Sequence, residues 1–188
     1  MDKLMPGFAF NMMSLMFRVR DLVAPRERFL REAAIKPGHW VLDYGCGPGS
    51  YIIPASEMVG ETGMVHALDI HPLAVMRVRE MASRKGLANV KTIHSQCDTG
   101  LPDGSVDVAL LYDIFHGLDD PHSILAELHR VLKPDGILSF SDPHMQEGTI
   151  VSGVTDGQLF YLSEKGERTF TFRKRQAEVK PAAQDQPR

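Results

Sequence analysis

The chain has 188 residues, 43% of them hydrophobic and 24% charged, with 16 glycines and 12 prolines. That balance excludes a disordered chain, a collagen-like fibre and a coiled coil, and the length suits one domain with a small appendage. The net charge of −3 hides a segregation, with seven basic and four acidic groups in each of 1–39 and 158–188 and seven basic against 16 acidic over 40–157; so acidic a middle disfavours nucleic acid as a partner.

Residues from about Ala9 to Val23 and from Pro25 to Ala34 read as two helices, with Pro25 placed as a first-turn proline. Within them Phe8–Phe17 is an apolar run of ten residues, far short of the roughly 20 needed to span a bilayer. Lys3 is a thin basic lead, and no small-x-small cleavage site follows. His39–Tyr44 is a short apolar strand that ends in glycines, and Ser50–Val59 is helix-compatible. Met64–Ile70 is a second strand, and Pro72–Lys85 a helix bounded by Pro72 and Gly86. Val90–Ser95 and Val106–Tyr112 are strands three and four. Pro121–Leu132 is a helix closed by Lys133-Pro134-Asp135-Gly136, and Ile137–Ser141 is strand five.

This order predicts an α/β fold: a single doubly wound, mainly parallel sheet with helices on both faces. Continuous apolar runs, rather than alternating ones, suit buried parallel strands. A short helical stretch near Met145–Val154 follows. Leu159–Leu162 and Thr169–Phe172 then flank a turn at Lys165-Gly166, which predicts an antiparallel C-terminal hairpin and seven strands in all. Gln176–Arg188 is polar and proline-bearing and reads as a flexible tail. The division expected is a helical cap over 1–37, a ligand-binding domain over 38–175 and the tail over 176–188.

The most informative segment is Val41-Leu42-Asp43-Tyr44-Gly45-Cys46-Gly47-Pro48-Gly49-Ser50. A buried strand ends there, the backbone turns through glycines, and a helix begins. Glycine is needed where φ is positive or where a ligand approaches bare backbone, and such a corner lies where open α/β sheets bind ligands. The dinucleotide fingerprint is G-x-G-x-x-G, whereas glycines at 45, 47 and 49 give G-x-G-x-G. Asp69 ends the second strand, where a carboxylate can accept both ribose hydroxyls of an adenosine ligand. A dinucleotide and an adenosyl amino acid both remain open on this reading.

Asp43-Tyr44-Gly45-Cys46-Gly47-Pro48-Gly49, Ala67-Leu68-Asp69, Cys97-Asp98 and Leu128-His129-Arg130-Val131-Leu132-Lys133-Pro134-Asp135-Gly136 together resemble a class I S-adenosylmethionine (SAM)-dependent methyltransferase. The similarity runs from about residue 36 to 142, and its detail resembles the small-molecule branch that includes quinone-biosynthesis C-methyltransferases. The resemblance implies SAM as cofactor and a small-molecule methyl acceptor. It implies that Gly45, Gly47 and Gly49 let the backbone approach the methionine part while Asp43 helps hold its amino group. Asp69 would take the ribose diol, Asp98 the adenine amino group with Cys97 beside it, and Tyr112 would offer its carbonyl near the cofactor.

Methyl transfer needs alignment of nucleophile and methyl, and a base only where the nucleophile must lose a proton. His116 is the first choice for a base and His144 the second, since imidazole titrates near neutrality. Both follow strands whose ends face the cofactor. Asp113, His116, Asp142 and His144 could together hold a divalent metal, but they lack compact ligand spacing, and no metal is expected. No Asn/Asp-Pro-Pro-aromatic run follows strand four, which disfavours amino methylation of nucleic-acid bases. Cys46 and Cys97 read as packing residues, and so low a cysteine content points to a reducing, cytoplasmic compartment. Phe8, Phe10, Met12, Met13, Leu15, Met16, Phe17, Leu22 and Val23 form an apolar surface that either covers the site or packs on the sheet flank. Arg18, Arg20, Arg26, Arg28 and Arg31 read mostly as a solvated face that could also meet an anionic substrate or a membrane surface. An NAD-dependent oxidoreductase and a non-catalytic SAM-binding adaptor are the alternatives. Oligomeric state is not indicated.

Overall fold

The structure is a computed structural model and describes residues 6–23 and 26–175. Seven strands form one sheet in the order β3-β2-β1-β4-β5-β7-β6. The first five, β1 (Trp40–Tyr44), β2 (Met64–Asp69), β3 (Val90–His94), β4 (Val106–Tyr112) and β5 (Leu132–Ser141), pair in parallel. The last two, β6 (Phe160–Lys165) and β7 (Phe170–Lys174), form an antiparallel hairpin whose second strand pairs with β5.

Alternate residues of the strands serve two cores. Val41, Val65, Ala67, Val108 and Leu110 face α3 (Ile52–Val59) and α4 (Pro72–Lys85), while Leu42, Leu68, Ala109, Leu111 and Phe140 face α5 (Pro121–Val131) and α6 (Glu147–Thr155). Burial on both faces explains why the strand sequences are apolar without alternation. Helix boundaries follow local chemistry: Pro72 opens α4 behind His71, whose ring accepts from the Leu73 amide, and left-handed Gly86 closes it. Asp120 caps α5 ahead of Pro121. Residues 95–105 carry the chain from β3 to β4 without a helix.

Three expectations change in detail. Lys133–Gly136, read as the end of a helix, lies inside β5, where Leu132 pairs with Val106 and Ile137 with Val108. The turn survives as a bulge within a continuous ladder. The helix expected over Pro25–Ala34 is α2 (Glu27–Glu32), and Pro25 itself lies outside the described residues, as do Lys3 and the expected tail, 176–188. The first helix, α1 (Gly7–Val23), starts earlier than its predicted bound.

Candidate functional site

Three connections meet at the carboxyl edge of the parallel strands: the glycine turn after β1, Ile70-His71 after β2 and Asp113-Ile114 after β4. With α1 laid over them they enclose a cavity of about 230 Å³. Asp43, Gly45, Gly47, Asp69 and Tyr112, singled out from the sequence, line it, whereas Gly49, Cys97, Asp98, His116 and His144 do not.

The glycine turn is anchored by two amides, Gly45 and Cys46, which donate to the Leu68 carbonyl at 2.8 and 2.9 Å. Gly45 has φ +75°, and a Cβ there would stand 2.6 Å from Ile114 Cδ1. Gly47, at φ +50°, meets nothing within 4 Å at the same test, so its peptide is a bare stretch of cavity wall. Gly49 packs against α4. A Cβ there would stand 2.9 Å from Met81 Cε and 3.1 Å from Val78 Cγ2, so it lets the turn close on α4.

Two carboxylates supply the electrostatics. Asp69 accepts from the Gly47 amide at 2.8 Å and the His71 amide at 2.7 Å; burial raises its pKa, and these two bonds pull it back. Asp43 is 2% exposed, and its Oδ2 has no hydrogen-bond partner among the described residues. Burial first, and then the charge of Asp69, push its pKa up to about 7. An unpartnered buried carboxylate is costly. A donor, best a cationic one, brought into the cavity would satisfy it.

The remaining wall is aromatic and apolar. Tyr112 packs on Tyr51 at 4.9 Å between centroids, and its hydroxyl bonds Ser139 at 2.7 Å. From α1, Phe10, Met13, Phe17 and Arg20 form the roof, with Phe10 stacked on His71 at 4.5 Å. Arg20 reaches Asp113 at 3.2 Å, and Asp113 holds φ +60°, a left-handed conformation that aspartate tolerates better than most residues. The five arginines therefore do not share one solvated face. Arg28 and Arg31 are exposed, but Arg20 closes the roof and Arg26 is buried against Asp21 at 2.8 Å. The side chain of Arg18 lies outside the described residues.

His116 and His144 gather around Asp142, which is 4% exposed. The His116 Nδ1 donates to its two oxygens at 2.9 and 3.1 Å, the amides of His116 and His144 each donate at 3.1 Å, and the two rings lie 4.6 Å apart. Asp113 points instead to Arg20, and among the described residues no three His, Cys, Asp or Glu side chains are grouped to hold a metal. Asp98 is exposed and accepts from the Gly100 amide at 2.9 Å, while Cys97 packs on the core edge. Sequence reasoning passed over His71, and it named Asp113 and Arg20 without pairing them. The first had a signal, since a residue before a first-turn proline caps a helix beside the strand end; the second is a tertiary contact with none.

A family model described as a methyltransferase domain matches residues 35–184. Aklanonic acid methyltransferase of Streptomyces sp. (strain C5) is 35% identical over 114 residues, 60% of this chain and 51% of that protein. Demethylmenaquinone methyltransferase of Geobacillus kaustophilus is 30% identical over 129 residues, 68% of this chain and 55% of that protein. The chain thus spans about half the length of these curated relatives. A solved SAM-dependent methyltransferase from Aquifex aeolicus superposes with a TM-score of 0.69 at 29% identity, covering 84% of this chain and 96% of that one.

Proposed function

The chain belongs to the methyltransferase-domain family, and on that premise we propose that it binds SAM and methylates a small-molecule acceptor. The observation that carries this reading is the unpartnered Oδ2 of Asp43 beside the bare Gly47 peptide. SAM supplies an electrophilic methyl group on a sulfonium and departs as S-adenosylhomocysteine. The Asp43 carboxylate would accept from the ammonium of the methionine part, a charge-assisted bond of the stronger kind. Asp69 keeps unused lone pairs on both oxygens, each holding one backbone amide, and these suit the ribose diol. The α1 roof excludes water from the reacting centre. Cys97 and Asp98 belong to this proposal as the adenine edge, at the end of β3 rather than in the cavity wall.

His116 belongs to it as the base wherever the acceptor must lose a proton. Nδ1–H donates to Asp142, which leaves Nε2 free to accept the acceptor's proton, while His144 flanks the ring. The helical cap over 1–37, the cofactor domain over 38–175 and a cytoplasmic location complete the reading.

Calorimetric titration with SAM, S-adenosylhomocysteine and NAD is the first test, followed by methyl-labelled SAM with a cell extract and mass spectrometry of the products. Binding of both adenosyl ligands but not NAD, with label in a small molecule, is expected. NAD binding alone would overturn the reading, and binding without turnover on every extract fraction would make the chain an adaptor. With the labelled acceptor in hand, His116→Ala is expected to lower kcat by about 10²–10⁴-fold if a proton is removed.

A further inference from the structure

α1 is apolar on two faces. Phe10, Met13 and Phe17 line the cavity. On the far side Phe8, Met12, Leu15, Met16, Val19 and Val23 stand between 55 and 83% exposed. At 3.6 residues per turn these six fall within an arc of about 100°, a continuous stripe along the whole 17-residue helix. Asn11, bonded to Arg77 at 2.6 Å, stands at one border and Arg20, turned to Asp113, at the other. A helix apolar on two faces requires cover on both, and a contiguous exposed apolar patch marks an interaction surface.

The surrounding charge says what the cover is. α1, α2 and α4 carry eight Arg and Lys against four Asp and Glu, in a chain that is net acidic. Arg26, Arg77, Arg84 and Lys85 line one groove beside α1, against three carboxylates, Asp21, Glu27 and Glu80. Arg28, Arg31, Arg79, Arg84 and Lys85 are exposed. An apolar stripe with the net-basic α4 beside it, joined to it through Arg77 and Asn11, complements an anionic lipid surface, on which a helix lies in the plane with its apolar face sunk about 5–10 Å. No helix among the described residues is long and apolar enough to cross a membrane. Six side chains of one helix fall well short of the ~20–30 residues a side of a stable protein interface. We propose that the exposed face of α1 seats this protein on an anionic lipid surface, with the basic residues of α2 and α4 on the headgroups. The inference does not rest on methyl transfer. It would place the roof of the cavity directly against the bilayer.

The test is co-sedimentation of the full chain with sucrose-loaded vesicles of phosphatidylcholine alone and of phosphatidylcholine with 30% phosphatidylglycerol. Binding to the anionic vesicles, at least tenfold weaker on the neutral ones and reduced by salt, is expected. The triple variant M12Q/L15Q/M16Q should lose it while keeping the wild-type thermal midpoint and S-adenosylhomocysteine titration. R84Q and K85Q should each weaken it roughly fivefold, the share of one basic residue near an anionic surface. Wild-type protein that ignores both vesicles, or a folded triple variant that binds as well as wild type, overturns the proposal. So does a wild-type dimer in sedimentation equilibrium that the triple variant converts to monomer without any vesicle binding, which would assign the stripe to a second copy. Vesicle binding without any S-adenosylhomocysteine titration would sink the cofactor reading and leave this one standing.

Discussion

Asp43 concentrates the electrostatics of the site in one side chain. Its rise from 3.8 to about 7 corresponds to about 4 kcal/mol at ~1.4 kcal/mol per pH unit. The sign follows from which state holds the proton. Below about pH 4 folded and unfolded chains are both protonated and Asp43 is neutral in the balance. Between about 4 and 7 the unfolded chain releases the proton while the folded one keeps it, so the ligand-free protein loses stability as pH rises, and the full deficit stands above pH 7. Asp43→Asn should therefore melt higher than wild type at pH 8 and no higher at pH 4, which scanning calorimetry reads. The same variant should bind S-adenosylhomocysteine about 10–100-fold more weakly, the loss of a hydrogen bond to a charged group. Wild-type affinity should fall toward tenfold per pH unit below about 7, and the variant should lack that slope. The positions of Asp43 and Asp69 were legible because Asp69 ends a readable strand and Asp43 stands one residue from the end of another. The value of about 7 was not, because burial on every side of Asp43 is a property of the assembled sheet.

At the scale of elements, the expectations were sharpest where local rules act alone. Pro72–Lys85 and Val106–Tyr112 fall where the sequence places them, because a first-turn proline, a closing glycine and an apolar run each specify a boundary locally. β5 was shortened because Pro134-Asp135-Gly136 satisfies every rule for a turn. Only pairing with β4, through Leu132 before it and Ile137 after it, carries the ladder past it. The glycine turn carries both kinds of information. Its positive φ values belong to the motif, but the demand at Gly45 comes from Ile114, 69 positions on, which no local pattern contains. Gly45→Ala is expected to cost about 1–3 kcal/mol from the left-handed conformation alone, with crowding of Ile114 added. Ile114→Val should relieve the crowding and leave the strain. Denaturant midpoints of the two single variants and the double should therefore be non-additive, with the double less destabilised than the sum. Additive values would mean that Ile114 moves aside at no cost.

Taken whole, the molecule sets a rigid sheet edge under a roof made from its own first helix. The sheet and its helices were readable in outline from periodicity. The roof was readable only as two possibilities, since apolar spacing reports burial without saying against what. In the structure one side of α1 covers the cavity, and the other is exposed rather than packed on the sheet flank. The cavity of about 230 Å³ is smaller than the roughly 300–1,000 Å³ of small-molecule sites, and we predict that α1 lifts to admit a nucleoside-sized ligand. Among the contacts that hold it down are the Phe10–His71 stack with Arg77 over the Phe10 ring, the Arg77–Asn11 and Arg20–Ser50 bonds and the Arg20–Asp113 ion pair. The ion pair is about a quarter to a third exposed on each side, so its contribution to stability is small, about 0.2–1 kcal/mol. Its contribution to the opening equilibrium is of the same size and is read directly in rates. Arg20→Gln should leave the melting temperature within a few degrees of wild type. It should raise the association and dissociation rates of S-adenosylhomocysteine in stopped flow by up to about fivefold, and speed hydrogen exchange across 7–23 while β1 and β4 keep their protection. Unchanged rates with a lowered melting temperature would make Arg20 a prop for the fold, and the entry route would then lie elsewhere than under α1.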